Sequence, residues 1–465
     1  MTEHPRTKGL RTQDLGLSVR APLSPQHSVL GPSSAPLSPE HSVLSPSSAP
    51  TFRIVGGSRL RGEVRVGGAK NAALPIMAAA LLTRDVCVIH NVPRIEDITT
   101  LSDLLRSLGA RVEFPEDHTA VIDSRKLDSA RAPAEFVRKM RASFLVVGPL
   151  LARLGMAEAP HPGGCEIGMR PVNVDVEGFR AMGADVVCEG ELYRVECKRL
   201  RGTTTYLDYP SHTGTENLMM AACVAKGTTV VKHASMEPEV TDLARFLSRM
   251  GARVQGAGSP FLTIEGTDKL HGANYRLMPD RLAAGTYLVA GVISGGSVAV
   301  SQVIPEHLDA VTHKLREAGA CVDDSEPETL AASWVQPLSA VEIQAIAYPG
   351  FPTDLQAAFG ALLTQARGTS IIHERVFENR FLYLNELRKM GAEIKVSGQT
   401  ARIQGAGRLR GAQVHATDIR SGAALVLAAL AAEGTTVIDD ARHIDRGYDS
   451  LVPTLASIGA AIHRE

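Results

Sequence analysis

The sequence predicts an α/β protein of six repeated strand–helix units, with helices inside and sheets outside. A Gly-Ala pair followed by a β-branched residue recurs six times, and its glycines lie 68 to 74 residues apart. Alanine-rich helical stretches followed by Gly-Thr-Thr-Val also recur. Only 4% of the residues are aromatic, so the cores must be aliphatic. Small side chains allow close helix packing, which favours these helices at the centre, and three units in each of two domains is the economical arrangement.

Composition excludes several classes of function. The 465 residues include 49 Lys and Arg against 50 Asp and Glu, so no global field favours nucleic acid or a membrane surface. The sequence shows no apolar run long enough to span a bilayer and no secretory signal at its start. The six cysteines are scattered singly, which indicates a reducing, cytoplasmic setting rather than a disulfide framework.

Residues 1–51 form a Ser/Pro-rich extension that we expect to be disordered. A segment beginning Ala-Pro-Leu-Ser-Pro occurs at residue 21 and again at residue 35. Proline at this density prevents helix and sheet, and two copies are too few for a solenoid.

Each repeat contains an amphipathic helix that ends at a glycine. Leu101, Leu104, Leu105 and Leu108 are spaced as on one helical face, and Gly109 follows them. Glycine tolerates the left-handed conformation that closes a helix, so we expect it there, with a strand following. The repeated glycines are Gly109, Gly183, Gly251, Gly319, Gly391 and Gly459. A non-catalytic solenoid is the alternative that this pattern leaves open.

Three single residues have the chemistry of a site, each with a plainer alternative. Cys165 follows Pro-Gly-Gly, which predicts a loop, and Arg170 is close in sequence. Positive charge favours the thiolate, so Cys165 is expected to be reactive; the alternative is a purely structural loop. Lys70 follows Gly-Gly-Ala at a helix start, where anions bind, although a solvated turn is the alternative. Asp354 precedes a helix expected near Leu355, which is also typical of a helix cap.

Several motifs together resemble the UDP-N-acetylglucosamine 1-carboxyvinyltransferase family of enolpyruvyl transferases. They extend from residue 52 to the end and comprise Gly67–Pro75, Met140–Ser143, the Cys165 loop, Thr215–Asn217, Pro279–Arg281, Phe351–Gln356, Phe377–Phe381, Ala416–Arg420 and His443–Tyr448. The resemblance implies a two-lobed inside-out α/β barrel of six βαβαββ-type units. It implies a C-terminal lobe of residues 52–69 plus 279–465 and an N-terminal lobe of residues 70–278, with the active site in the cleft between them.

The resemblance implies transfer of the enolpyruvyl group of phosphoenolpyruvate to the 3-hydroxyl of UDP-N-acetylglucosamine, with release of phosphate, in cytoplasmic peptidoglycan synthesis. The implied catalytic residues are Cys165, Asp354, Lys70 and Arg446. Cys165 would be the proton donor and the fosfomycin target, and Asp354 the base. The implied contacts with phosphoenolpyruvate are Lys70, Asn71, Arg170, Arg420 and Arg446. The implied contacts with the nucleotide sugar are Arg141, Arg170, Pro171, Val172, Asn173, Val174, Tyr209, Pro210, Ser211, His212, Asp354 and Val376.

The sequence departs from the usual family pattern on the nucleotide side. Asn173 and Asp175 replace the usual Asp and His after Arg-Pro-Val, and Ser211–Gly214 differs from the usual Ser-Val-Gly-Ala. These changes leave open a paralogue that uses another uridine nucleotide in secondary metabolism. The shikimate-pathway transferase has Lys-Ser in place of Lys70-Asn71 and lacks the cysteine, so this sequence does not match it. A catalytically dead repeat protein would have lost some of the catalytic candidates, and this sequence retains them all. Arg446 adjoins Asp445, so a surface ion pair is its plainer interpretation. No metal or cofactor motif is present, and we expect neither.

Overall fold

The computed structural model describes residues 50–163, 167–168 and 171–465. The strands of this part form six sheets, five of them four-stranded. In spatial order the first three are Gln413–His415, Thr435–Asp439, Phe52–Val55 and Ala461–Arg464; Arg253–Gln255, Phe261–Glu265, Thr228–Lys232 and Thr204–Tyr206; and Asn274–Arg276, Val86–His90, Thr119–Asp123 and Arg111–Glu116. The others are Cys321–Asp323, Thr329–Ser333, Ser297–Ser301 and Arg61–Arg65; Glu342–Ala345, Thr369–Glu374, Thr400–Gln404 and Glu393–Ser397; and Met156–Pro160, Leu192–Glu196 and Asp185–Glu189.

The sheets repeat one topology. In each four-stranded sheet one edge strand pairs in parallel with its neighbour, and the other pairings are antiparallel. The three-stranded sheet retains a trace of the parallel edge, because Arg131 forms a parallel bridge with Glu158. The strand Phe52–Val55 lies between the last two long strands of the chain, so the chain start completes the sixth unit.

The helices alternate with these strands. The α-helices are Lys70–Ala79, Glu96–Ser107, Ala134–Val137, Val147–Leu154, Asn173–Ala181, His212–Ala222, Pro238–Arg249, Arg281–Ile293, Asp309–Glu317, Thr353–Leu363, Tyr383–Lys389, Ile419–Ala431, Arg442–Asp445 and Leu451–Ser457. Short 3-10 helices span Ala80–Leu82, Arg141–Val146 and Pro305–Leu308. Each helix of the described chain is too short or too polar to cross a membrane.

The predicted inside-out arrangement is confirmed. The helix Arg281–Ile293 has all but one of its residues buried, and it packs against Thr353–Leu363 and Ile419–Ala431, which pack against each other. The strands instead bury alternate residues, as in Thr435–Asp439, so that one sheet face meets the helices and the other meets solvent.

The glycine period is confirmed as a set of helix ends. All six repeated glycines have φ between 89° and 103° and follow the last helical residues. A strand begins two residues after each of them, as at Gly109 before Arg111–Glu116. The left-handed conformation at these positions is the reason that glycine recurs there.

The buried apolar residues of the described chain form two clusters. One comprises residues between Ala69 and Met278, and the other comprises Phe52–Val66 together with residues from Leu282 to Ile462. The chain passes between the clusters twice, and the two passages touch where Gly68 bridges Pro279. Asp280 fixes this crossing because its carboxylate caps the helix Arg281–Ile293 and also accepts a hydrogen bond from the Lys70 amide at 3.3 Å.

Pro50 and Thr51 already belong to the folded chain. The Thr51 amide donates to the Glu465 carbonyl at 3.0 Å, and the Glu465 amide donates back at 3.0 Å. The Ala441 amide donates to the Pro50 carbonyl at 2.9 Å. The preceding 49 residues, which hold the predicted extension, lie outside the described chain.

Candidate active site

Charged side chains stand at the N-termini of the central helices. Lys70 and Arg281 are first in Lys70–Ala79 and Arg281–Ile293, and Asp354 and Arg420 are second in Thr353–Leu363 and Ile419–Ala431. The helix dipole favours anions at such ends, and the carboxylates of Asp280 and Asp418 already cap Arg281–Ile293 and Ile419–Ala431. Together the helix dipoles and the basic side chains make this region suited to a phosphate or a carboxylate.

Asp97 bridges two of the predicted cations. Its carboxylate lies 2.6 Å from Lys70 Nζ and 2.9 Å from Arg446 Nε, and its side chain is only 5% exposed. Arg446 lies in the part of the chain that forms the second hydrophobic cluster, and Asp97 lies in the part that forms the first. This ion pair therefore joins the two parts. The alternative of an Arg446–Asp445 pair is wrong, because Asp445 instead accepts a hydrogen bond from Arg464 at 2.8 Å.

Lys70, Asp97 and Arg446 shift one another's pKa values. Burial would raise the pKa of Asp97, but Lys70 and Arg446 outweigh it and lower that pKa. Burial lowers the pKa of Lys70, and nearby Arg420 and Arg446 lower it further against the effect of Asp97. An added anion would relieve this crowding of positive charge.

Asp354 lies between two buried arginines. Its Oδ1 is 2.8 Å from Arg380 Nη2, and its Oδ2 is 3.1 Å from Arg420 Nη2. The helix-cap alternative is wrong, because the cap residue is Pro352, no side chain caps this helix, and the carboxylate is engaged by the arginines. Burial would raise the pKa of Asp354, but the arginines outweigh it and hold that pKa well below its usual range.

Arg420 retains hydrogen-bonding capacity. Its guanidinium lies over the Tyr448 ring, with Cζ 5.3 Å from the ring centroid. Its Nη1 is buried and has no hydrogen-bond partner among the described residues. A buried guanidinium nitrogen without a partner is costly, so this group is ready to accept an anionic ligand.

A third charged group lies beside the first two. Arg281 Nε is 3.0 Å from Glu239 Oε1, and Arg281 also pairs with Glu237. His212 Nε2 lies 3.1 Å from Glu216 Oε1. Burial would lower the pKa of His212, but Glu216, Glu239 and Glu237 outweigh it and raise that pKa to about 9. His212 is therefore a cation at neutral pH.

Four residues predicted for the nucleotide side converge at the Pro171 carbonyl. Arg141 Nη2 donates to this oxygen at 3.0 Å, and the Tyr209 hydroxyl donates to it at 3.4 Å. The same hydroxyl lies 3.3 Å from Asn173 Oδ1. Tyr209 is 38% exposed, so its ring faces solvent beside these polar groups.

Other predicted nucleotide contacts are less available. Val172 and Val174 are buried, so only their backbone could meet a ligand. Ser211 is buried and caps the helix His212–Ala222 by accepting from the Gly214 amide at 3.1 Å. Pro210 is half-buried, and Val376 is exposed just after the strand Thr369–Glu374. Asp175 does not line a surface at all, because it is 2% exposed.

The loop cysteine lies outside the described residues, as does Arg170. The described part of the loop touches the second hydrophobic cluster's side of the molecule. The Ile167 carbonyl accepts from the Asn379 amide at 2.9 Å, and Gly168 lies against the Glu378 side chain. Asn71 is half-buried as the second residue of its helix, next to Lys70.

A family model described as EPSP synthase (3-phosphoshikimate 1-carboxyvinyltransferase) matches residues 54–455. The chain belongs to the EPSP synthase family. The match contains the whole first hydrophobic cluster, the second except Phe52, Ile458, Ala460 and Ile462, and all three charged groups. In this EPSP synthase family member the basic side chains at helix N-termini therefore belong to the family domain itself.

Curated relatives within the family are more similar. The UDP-N-acetylglucosamine 1-carboxyvinyltransferase of Gloeobacter violaceus is 48% identical over 412 residues, which is 89% of this chain and 90% of the relative. The enzymes of that name from Dichelobacter nodosus and Caldanaerobacter subterraneus are 48% and 46% identical, over 89% and 87% of this chain and 98% and 97% of the relatives.

Solved structures share the fold. The crystal structure of the enolpyruvyl transferase NikO from Streptomyces tendae superimposes with a TM-score of 0.81 at 28% identity, covering 89% of this chain and 98% of that one. The EPSP synthase of Acinetobacter baumannii superimposes with a TM-score of 0.70 at 19% identity, covering 90% and 100%. At that identity the second likeness concerns the fold alone.

Sequence reasoning missed the partners of the predicted residues. Asp97 reads as an ordinary acidic residue in the first turn of the helix Glu96–Ser107, and Arg380 as part of a motif without a role. Glu237 and Glu239 flank Pro238 at another helix start. A signal existed only for Arg380, as a basic residue within a family motif. Among the described residues, no group of three His, Cys, Asp or Glu side chains could hold a metal ion.

Proposed function

We propose that this chain transfers the enolpyruvyl group of phosphoenolpyruvate to the 3-hydroxyl of UDP-N-acetylglucosamine and releases phosphate, the first committed step of peptidoglycan synthesis. The observation that carries the proposal is 46–48% identity, over 87–89% of the chain, to relatives that all bear the name of this activity. The cytoplasmic location expected from the sequence stays a prediction. We also propose that the two hydrophobic clusters are the two lobes and that the site lies between them.

The basic side chains suit phosphoenolpyruvate. Its phosphate and carboxylate would replace Asp97 and Asp354 as partners of Lys70, Arg446 and Arg420. Arginine is well adapted to this exchange because its planar fork binds carboxylate and phosphate through two parallel hydrogen bonds. Arg420 Nη1, which has no hydrogen-bond partner in the described part of the chain, can supply one such bond without breaking another.

Asp354 would act as the base toward the sugar hydroxyl. With two arginines bound to it, its carboxylate is a weak base. When substrate phosphate engages Arg420, one of these partners is withdrawn and the basicity of Asp354 rises. Asp354 then takes the proton as the hydroxyl oxygen bonds to the central carbon of phosphoenolpyruvate.

Cys165 would deliver a proton to the methylene carbon, which becomes a methyl group. In the elimination that follows, the carbon–oxygen bond to phosphate would break while the Cys165 thiolate takes back a methyl proton, which restores the double bond. The Ile167 and Gly168 contacts with Asn379 and Glu378 support this role, because they bring the described part of the loop to the side of the second hydrophobic cluster.

Phosphate release tests the proposal directly. Purified protein is supplied with phosphoenolpyruvate and either UDP-N-acetylglucosamine or UMP, and released phosphate is measured. We expect release with the nucleotide sugar and none with UMP. Release with UMP alone would preserve the chemistry and overturn the acceptor, and no release from folded protein with either would overturn the proposal.

Fosfomycin labelling tests the role of Cys165. We expect a single adduct in intact-mass spectra of the wild type and none in Cys165→Ala, with turnover slowed at least a hundredfold, because general-acid catalysis contributes on the order of 10²–10⁴. Cys188→Ser is the control, since Cys188 is exposed but lies outside the predicted site. Undiminished turnover in Cys165→Ala would remove the proton-donor role.

A further inference from the structure

Asp175 and Asn217 lie at the buried junction of three segments that carry the predicted nucleotide contacts. We infer that this pair is a positioning element that sets the geometry of the nucleotide subsite, and so the affinity for UDP-N-acetylglucosamine, without touching the substrate. The inference rests on the proposed function. It deepens that function by assigning a role to a position where this chain departs from its family.

Asn217 makes three hydrogen bonds to three different elements. Its Nδ2 donates to Asp175 Oδ1 at 2.8 Å and to the Phe144 carbonyl at 3.1 Å. Its Oδ1 accepts from the Gly148 amide at 2.7 Å. Asn217 is fully buried and Asp175 is 2% exposed, so these bonds have no competition from water.

Three of the four elements joined in this way carry predicted nucleotide contacts, and the fourth, Val147–Leu154, holds Gly148 and carries none. The 3-10 helix of Phe144 begins with Arg141, and the helix of Asp175 begins with Asn173 and Val174. The helix of Asn217 begins with His212 and is capped by Ser211. One side-chain amide therefore fixes the spacing among all three parts of the subsite that come from the first cluster.

The elements around Asp175 and Asn217 are tightly packed, so their relative positions are fixed. A methyl group added at Gly148 would lie 2.6 Å from Asn217 Oδ1, and one added at Gly178 would lie 2.4 Å from a Leu218 methyl. The helices Asn173–Ala181 and His212–Ala222 are thus in close contact where the pair joins them. Loss of the Asp175 carboxylate should therefore shift the starts of these two helices, where the predicted nucleotide contacts lie.

Asp175 is the charged member of the junction. Its carboxylate makes the bond from Asn217 charge-assisted, which is stronger than a neutral bond. Burial raises the pKa of Asp175 to about 6, with Asn217 and Arg141 opposing the rise. Arg141 is the charged group that faces Asp175 among the described residues, so acidification just below pH 6 weakens the junction by protonating Asp175.

The test is a split between the two Michaelis constants. In Asp175→Ala we expect the KM for UDP-N-acetylglucosamine to rise roughly tenfold, with kcat and the KM for phosphoenolpyruvate changed less than about twofold. In the wild type we expect the KM for the nucleotide sugar to increase as pH falls through 6. In Asp175→Asn this KM should rise less than in Asp175→Ala, and the pH-dependent increase should disappear. Calorimetric titration with UDP-N-acetylglucosamine alone should show the same loss of affinity.

Two further variants guard against a general structural effect. Asn217→Ser removes the side-chain amide without altering Asp175 and should give the same split. Asp242→Asn is the matched control, because Asp242 is another buried carboxylate of the same cluster whose hydrogen bonds go to Tyr275 and Met278. It should leave the KM for the nucleotide sugar unchanged. Thermal unfolding midpoints accompany each measurement.

An equal rise of the KM for UDP-N-acetylglucosamine and the KM for phosphoenolpyruvate would overturn the inference. So would an unchanged KM for the nucleotide sugar in both Asp175→Ala and Asp175→Asn. Failure of the wild type to bind or use UDP-N-acetylglucosamine would instead overturn the proposed function, so the two failures are distinguishable. If Asp175→Ala does not fold, Asp175→Asn and Asn217→Ser decide the matter.

Discussion

Asp97 shows how one carboxylate organises cations that are far apart in sequence. Its carboxylate lies 2.6 Å from Lys70 Nζ and 2.9 Å from Arg446 Nε, although Arg446 is 349 residues after Asp97 in the chain. Removing one partner from a buried ion pair leaves uncompensated charge, which costs more than the pair itself contributes.

We expect Asp97→Ala to lower the free energy of unfolding by about 3–5 kcal/mol in phosphate-free buffer. Inorganic phosphate should raise the thermal midpoint of this variant more than that of the wild type, because Lys70 and Arg446 then need an anion. Asp445→Ala is the control, since its pair with Arg464 is partly exposed and contributes less than about 1 kcal/mol. Equal phosphate shifts in variant and wild type would contradict the interpretation.

At the scale of the element, the repeated helix ends depend on backbone conformation more than on contacts. Gly183 has φ of 89°, and a methyl group added there would meet no atom within 4 Å. Substitution at this site therefore isolates the cost of the left-handed conformation. The other five helix ends share the conformation, so the cost recurs once in each repeat.

We expect Gly183→Ala to lower the free energy of unfolding by about 1–2 kcal/mol, because a Cβ atom is strained at positive φ. Gly407→Ala is the matched control: its added methyl also meets nothing, and its φ is not in the left-handed region. That variant should differ from wild type by less than about 0.5 kcal/mol. Urea unfolding measures both, and equal effects would show that φ is not the cause.

At the scale of the whole molecule, buried ion pairs connect the two hydrophobic clusters. Arg281, from the second cluster's central helix, pairs with Glu239 of the first at 3.0 Å, and both are almost fully buried. Burial would raise the pKa of Glu239, but Arg281 outweighs it and lowers that pKa. A lowered carboxyl pKa contributes stability that is present above about pH 4.5 and is lost as pH falls through the folded value.

We expect Arg281→Met to lower the free energy of unfolding by about 3–5 kcal/mol near pH 7, because Glu239 is left buried without a partner. In the variant the lowering effect of Arg281 on the pKa of Glu239 is lost while burial and the weaker effect of His212 remain, so Glu239 takes up a proton at higher pH than in the wild type. The difference between the two proteins should therefore narrow as pH falls toward 5. Denaturant unfolding at pH 7.5 and pH 5 checks this, and a constant difference would exclude Glu239 as the cause.

Local sequence determined the repeat and the fold class. Glycine at six helix ends, amphipathic helices before them and alanine-rich helices between them each follow from the preferences of neighbouring residues. The motifs also marked Lys70, Asp354, Arg420 and Arg446 as site candidates, and the structure brings these residues into adjoining ion pairs.

Only the tertiary structure decided which groups partner these residues. Asp97 and Arg380 became visible as the counter-charges of Lys70 and Asp354 because distant segments meet at the helix N-termini. Asp175 read as a nucleotide-side change in sequence and proved to be a buried partner of Asn217. The reason is physical: helix ends and caps are set by residues a few positions apart, whereas the partner of a buried charge is set by which segments the core brings together.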